Sequence, residues 1–193
     1  MMQAYGTFAN EGYYVKPHFI TKVEDIDGNV LYKYKKKKKQ ILNSETVYIL
    51  NELLTSSYDV NLLDYNTPTC LGIAPKMTKK YAIKTGTTDT DHLIFGYNHD
   101  LIIGAWVGYD DNKATTPNDS LAIKNMWIDA MESSLTEKEN SWYDIPKNVV
   151  GVLVDPITGQ LDSNNKRMFY YIKGTEPYEN YSFDDLIPVF KEE

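Results

Sequence analysis

The chain has 193 residues, with 20 Lys and Arg against 27 Asp and Glu, a net charge of -7 and a pI near 5.0. That length allows one generous domain, or one domain and a small appendage, whose core needs neither disulfide nor metal to hold it. The acidic balance and a single arginine, Arg167, argue against nucleic acid as a partner, and the lone Cys70 excludes a disulfide framework or a multi-thiolate zinc site.

No run approaches the 18 or more apolar residues of a membrane span, and the N-terminus lacks a basic-then-apolar signal pattern. In chain order, Met1, Ala4, Tyr5 and Phe8 share a helical face, and Gly12 is placed to stop that helix as a left-handed cap. The helix opens without a capping residue. Tyr13 to Ile20 reads as extended, with Pro17 restricting it to a sheet edge or a strand start. A hairpin follows: Thr21 to Asp27 alternates, Asp27-Gly28 turns, and Val30, Tyr32 and Tyr34 mark one face of the return strand.

Five lysines, Lys35 to Lys39, end the hairpin. They read either as a solvated, self-repelling loop or as a contact for anionic lipid or wall polymer, worth about 1 kcal/mol per lysine. Asn43 or Ser44 caps a helix from Glu45 to Ser56 with Val47, Leu50 and Leu54 on its buried stripe. Tyr58 to Lys80, with Pro68, Gly72 and Pro75, reads as one long loop.

The apolar strand Tyr81 to Thr88 runs into Lys84-Thr85-Gly86-Thr87. After a polar connection from Asp89 to His92, Leu93 to Tyr97 and Leu101 to Tyr109 pair through Asn98-His99-Asp100. The second of these is apolar on both faces, which predicts a central strand covered by helices. Pro117 to Asp119 opens a helix over 120–134 with Ile123, Trp127 and Met131 aligned, and both Trp106 and Trp127 read as core. Val149 to Val154 and Met168 to Ile172 are short strands, Asp155 to Gly159 is a turn, and the acidic tail after Lys173 is loosely held. A soft boundary between Glu137 and Pro146 divides residues 1–140 from an extension of residues 141–193.

The chemistry concentrates at Lys84 to Thr88. On a strand, Thr85 and Thr87 fall on one side, and two hydroxyls there suit a carboxylate. Gly86 allows close approach of a peptide backbone, in the manner of strand addition. On an edge strand the Thr87 N–H is free to donate to a developing oxyanion, while Lys84 supplies positive charge. His18, His92 and His99 are far apart and read as surface or loop residues. Asp110-Asp111-Asn112 lacks a calcium-loop pattern, and no cofactor or metal is called for.

Four blocks then resemble one family. They are Met2-Gln3-Ala4-Tyr5-Gly6-Thr7-Phe8-Ala9-Asn10-Glu11-Gly12-Tyr13-Tyr14-Val15-Lys16-Pro17, Lys84-Thr85-Gly86-Thr87-Thr88, Gly104-Ala105-Trp106-Val107-Gly108-Tyr109-Asp110-Asp111-Asn112 and Lys173-Gly174-Thr175-Glu176-Pro177. In this order they resemble the C-terminal half of the transpeptidase domain of class A, bifunctional penicillin-binding proteins. The resemblance implies an α+β fold, an antiparallel sheet flanked by helices, here incomplete. It implies D,D-transpeptidation of peptidoglycan stem peptides through an acyl-serine, with D-Ala-D-Ala peptide or β-lactam as the ligand. By the same resemblance Lys84 and Thr87 are catalytic, and Thr85, Gly86, Thr87 and Thr88 bind substrate.

The departures from the pattern are as informative. The family's Ser-x-x-Lys nucleophile and Ser-x-Asn motif are not found before Lys84. Ser163-Asn164-Asn165-Lys166 satisfies both patterns, but on the wrong side of Lys-Thr-Gly and in an Asn-rich turn. The segment from Thr88 to Phe95 is short for the family, and Tyr58 to Pro75 lacks Gly-Thr-Gly. The expectation is a piece of a longer parent, anchored through that parent at the extracytoplasmic face of the bacterial membrane. It would be inactive without the missing N-terminal half, and unstable from an exposed apolar edge. The alternative is a non-catalytic peptide-carboxylate-binding or scaffold module.

Overall fold

The computed structural model describes residues 1–135 and 142–178. Helix α1 (Met2–Ala9) has no side-chain cap and ends where Glu11 and Gly12 adopt positive φ (53° and 89°). Gly12 N–H donates to Thr7 O at 2.9 Å, and a Cβ on Gly12 would lie 2.2 Å from Leu42 O, so only glycine fits this closure. Strand β1 (Tyr13–Val15) is shorter than the extended run expected, because Pro17 ends the pairing. The hairpin stands as read, with β2 (Lys22–Glu24) on β3 (Val30–Lys33), Gly28 at φ 85° and the Asp25 carboxylate accepting the N–H groups of Asp27 and Asn29.

The lysine tract is not wholly a loop. Lys38 and Lys39 lie in β4 (Lys38–Gln40), antiparallel to β1, with Lys38 Nζ 5.5 Å from the Tyr13 ring centroid. Helix α2 (Ser44–Leu54) is capped by Asn43, whose side chain accepts the Thr46 N–H at 3.0 Å. Its buried residues are Val47, Tyr48, Asn51 and Glu52 rather than the Val47, Leu50 and Leu54 stripe. The shift follows from polar partners: Asn51 Oδ1 accepts the Tyr97 hydroxyl at 2.7 Å, and the Glu52 carboxylate takes Lys80 and the Trp142 indole.

The segment 58–80 is a chain of 3₁₀ turns rather than one loop. Turns cover Thr55–Tyr58, Val60–Leu62 and Leu71–Lys76, and Cys70 and Ile73 are buried in the main core. Burial pushes the Cys70 thiol pKa up, so this cysteine acts as a small apolar filler.

Strands β5 (Ala82–Thr87), β6 (Asp91–Tyr97) and β7 (Ile102–Gly108) form an antiparallel sheet in that order. Among the described residues strand β6 is therefore central and β7 is an edge, contrary to the expectation for β7. Its two apolar faces reflect helices above and below, which is independent of how many strand neighbours it has. Helix α3 (Pro117–Ser134) covers one face. It begins at Pro117, three residues before the expected start, with Thr116 and Asp119 forming a reciprocal capping box.

Ile123, Trp127, Ile128 and Met131 of α3 are buried against Tyr81, Ile83 and Ile94, each such side chain contributing about 2–3 kcal/mol. Trp127 sits over Gly96 and donates from Nε1 to Ile103 O at 3.1 Å. The other face carries α1, whose Tyr5 stacks on Phe95 at 4.8 Å and whose Met2 approaches Gly104. Trp106 is on this second face and half-exposed, which corrects its reading as core; its indole N–H donates to Asp91 Oδ1 at 2.7 Å.

Strands β8 (Val149–Leu153) and β9 (Met168–Ile172) pair antiparallel and pack on α2, with Tyr48 edge-on to Tyr170 at 5.2 Å. Tyr48, Tyr143 and Val149 form a second, smaller core there. The whole is an α+β fold, an antiparallel sheet flanked by helices. The expected boundary between Glu137 and Pro146 lies partly outside the described residues, as does the acidic tail beyond Tyr178. Among the described residues no helix is long and apolar enough to cross a membrane.

Candidate active-site edge

Strand β5 emerges from the core along its own length. Tyr81, Ala82 and Ile83 are buried, Lys84 is exposed, and Thr85 to Thr88 run along the surface. The hairpin after it closes more tightly than expected, so β6 begins at Asp91 and includes His92. Thr88 N–H donates to Asp91 O at 2.9 Å, and Thr88 Oγ1 accepts the N–H groups of Asp91 and Thr90 at 3.0 and 3.2 Å. The Asp91 carboxylate accepts from Trp106 Nε1 at 2.7 Å, Thr90 Oγ1 at 2.8 Å and Thr88 Oγ1 at 3.2 Å. These donors, the Trp106 indole foremost, hold the Asp91 carboxyl below its usual range.

The turn sets which amides face outward. In an antiparallel ladder, hydrogen-bonded and non-bonded pairs alternate. The bonded pair Thr88–Asp91 makes Gly86–Leu93 and Lys84–Phe95 bonded pairs as well, so the N–H groups of Ile83, Thr85 and Thr87 point away from β6. Tyr81 has the same phase, and its N–H donates outward to the Tyr58 hydroxyl at 3.1 Å. Beyond Tyr81 no strand occupies that edge among the described residues. The free edge thus offers the Thr85 and Thr87 amides to an extended chain.

The side chains divide as the strand period requires. Thr85 and Thr87 share the α3 face with His92 and Ile94, while Lys84 and Gly86 share the opposite face with Leu93 and Phe95. Lys84 Nζ donates to Thr85 O at 2.8 Å. The Thr85 hydroxyl lies 3.3 Å from Thr69 Oγ1, either of which can donate to the other, and the Thr87 hydroxyl lies 3.3 Å from His92 Nδ1. A Cβ on Gly86 would meet only Leu93, at 3.6 Å, so the surface above it is open to a substrate backbone. Thr88 differs from its neighbours in that its hydroxyl is engaged within the turn.

Two neighbours of this edge were not among the residues singled out for it. Thr69, in the segment before Leu71–Lys76, carries no pattern that places it beside Thr85. His92 is 7% exposed in β6, which corrects its reading as a surface or loop residue. Treating Asp89-Thr90 as a two-residue turn would have set His92 opposite Thr87. The Ser163 motif lies elsewhere: Asp162 heads a turn through Asn165, not a helix, and Asn165 Nδ2 donates to Tyr65 Oη at 3.3 Å. Among the described residues no cluster of three His, Cys, Asp or Glu side chains is arranged to hold a metal.

Residues 1–137 match the family described as the penicillin-binding protein transpeptidase domain. Penicillin-binding protein 2D of Bacillus subtilis is 35% identical over 181 residues, 92% of this chain and 26% of that protein. Penicillin-binding protein 1A of Clostridium novyi is 29% identical over 196 residues, 93% of this chain and 21% of that protein. In structure, penicillin-binding protein 1A of Haemophilus influenzae superposes with a TM-score of 0.81 at 24% identity, covering 93% of this chain and 32% of that one, which speaks to the fold. The chain spans about a quarter of the length of the relatives it matches. With that match across 1–137 and the shared fold, the chain belongs to the transpeptidase family of penicillin-binding proteins.

Proposed function

We propose that this chain forms one wall of a serine D,D-transpeptidase site, and that β5 is the edge on which a D-Ala-D-Ala stem peptide or a β-lactam lies. The observation that carries the reading is the free β5 edge, with the Thr85 and Thr87 amides outward, Gly86 uncovered and Lys84 exposed. In this reading the hydroxyls of Thr85 and Thr87 hold the terminal carboxylate. The Thr87 N–H donates to the oxyanion that forms when a serine Oγ attacks the penultimate D-Ala carbonyl. Lys84 supplies the positive charge that orients the anionic terminus or lowers the pKa of a facing hydroxyl. Thr88, with its hydroxyl engaged, serves by bracing the turn.

The serine comes from outside these residues, because no Ser-x-x-Lys or Ser-x-Asn precedes Lys84 and Ser163 sits in a turn. What completes the site is the N-terminal half of the domain. The cross-linking then takes place at the extracytoplasmic face of the membrane, to which the parent protein is anchored. Two parts follow within the chain, a transpeptidase part of residues 1–140 and an extension of residues 141–193. The end of the family match at residue 137 supports that division.

The test is a labelled penicillin that remains bound after denaturation. The chain alone is expected to retain none. Mixed with a polypeptide bearing Ser-x-x-Lys and Ser-x-Asn, the label should appear on that polypeptide. Lys84→Ala should then slow acylation on the order of 10²-fold. Label retained by this chain alone, or acylation indifferent to Lys84→Ala, would overturn the reading.

A further inference from the structure

The residue opposite Thr87 in the sheet is a buried histidine, and one of its nitrogens has no partner. His92 pairs with Thr87 across β5 and β6, and its Nδ1 is 3.3 Å from Thr87 Oγ1. Nε2 is buried and makes no hydrogen bond. Two neutral arrangements are open to such a ring. In one, the Thr87 hydroxyl donates its only proton to Nδ1 and the ring hydrogen sits on Nε2, where it would be a buried donor with no acceptor. In the other, Nδ1–H donates to Thr87 Oγ1 and Nε2 keeps only a lone pair. Orphaned buried N–H groups are rarer than under-satisfied acceptors in folded proteins, which favours the second.

Two carboxylates lie near the His92 ring, and each has donors of its own. Asp91 points to the opposite face, where its carboxylate is taken by Trp106, Thr90 and Thr88. Asp119, in the first turn of α3, is taken by Thr116.

We propose that His92 is a positioning residue whose Nδ1–H donates to Thr87 Oγ1 and so frees the Thr87 hydroxyl proton for a carboxylate arriving at the β5 edge. A hydroxyl has one proton, and one that is spent on the protein has only lone pairs to offer a carboxylate, which repel it. His92 thereby decides whether Thr87 attracts or rejects an anionic terminus. This rests on the reading of Thr87 as a carboxylate ligand.

Imidazole 15N shifts of the whole chain separate the two arrangements, with His92 assigned by comparison with His92→Leu. The Nδ1–H form is expected, and the Nε2–H form overturns the inference whatever the ligand results. Titration with N-acyl-D-Ala-D-Ala carries the functional half. His92→Leu should weaken binding about three- to tenfold, the loss of one neutral hydrogen bond, while His92→Asn, which restores an N–H near the Nδ1 position, should stay within about twofold. The same peptide with an amidated C-terminus should bind His92→Leu and the wild type alike. Equal binding by His92→Leu, with Thr87→Val weakened, overturns the inference and leaves Thr87 as a ligand. Binding unchanged by Thr87→Val, or no peptide binding at millimolar concentration, overturns the carboxylate reading itself, and His92's role in anion capture falls with it.

Discussion

Glu132 shows how one carboxylate holds the root of the site strand. It accepts the Thr78 N–H at 2.9 Å, the Thr78 hydroxyl at 2.5 Å and the hydroxyl of fully buried Tyr81 at 2.6 Å. Burial acts to raise the Glu132 pKa, but these donors outweigh it, and the net displacement is downward from 4.5. A depressed folded value means stability that is present above the unfolded pKa of 4.5 and lost as pH falls below it. Glu132→Gln should therefore lower the urea midpoint at pH 7, and the gap from wild type should narrow by pH 4. A gap that stays constant with pH would remove the charge from this account. Burial also raises the pKa of the Tyr58 hydroxyl to about 12, so the hydroxyl that accepts the Tyr81 N–H stays protonated throughout that range.

Among the elements, the contact between α3 and the sheet keeps β5 in place. Trp127 is fully buried, and its ring lies so close to Gly96 that a Cβ there would be 2.1 Å from Cζ2 and 2.8 Å from two further ring carbons. The indole N–H on Ile103 O ties the ring to β7, so it has nowhere to retreat. Gly96→Ala should cost about 3 kcal/mol by overpacking, read from the urea midpoint, with a shift in tryptophan fluorescence. Fluorescence and stability both unchanged would mean that α3 slides on the sheet without penalty. Gly86 is the contrasting case on the neighbouring strand, where the space is open and glycine leaves room for a ligand rather than for a helix.

At the scale of the whole molecule, Arg167 joins the C-terminal hairpin to the rest. It is 7% exposed, and its guanidinium pairs with Asp59 Oδ2 at 2.5 Å and donates to Glu52 O and Thr55 Oγ1 at 2.8 and 3.1 Å. Removing one partner of a buried pair leaves the other uncompensated, so Arg167→Ala should cost about 3–5 kcal/mol. Because the hairpin packs on α2, and α2 touches β5, a single transition should move to lower urea rather than divide into two. Two separated transitions would show the extension to be energetically independent.

The Lys84 to Thr88 edge, the turn at Asp27-Gly28, the α3 stripe of Ile123, Trp127 and Met131, and the family itself were legible from residue order. Each depends on local pattern: strand alternation, turn chemistry, helical period and four blocks in sequence. What the sequence could not show was which strand lies at the centre of the sheet, because a two-faced apolar pattern records helices above and below and says nothing of neighbours to the side. The same holds for α2, whose buried side became polar because Tyr97 and Lys80 arrive from distant positions. It holds most of all for His92 and Thr69. Their places beside Thr87 and Thr85 follow from hairpin register and from the path of residues 58–80. Local residue pattern determined the chemistry of the edge; packing across the sheet decided which groups stand around it.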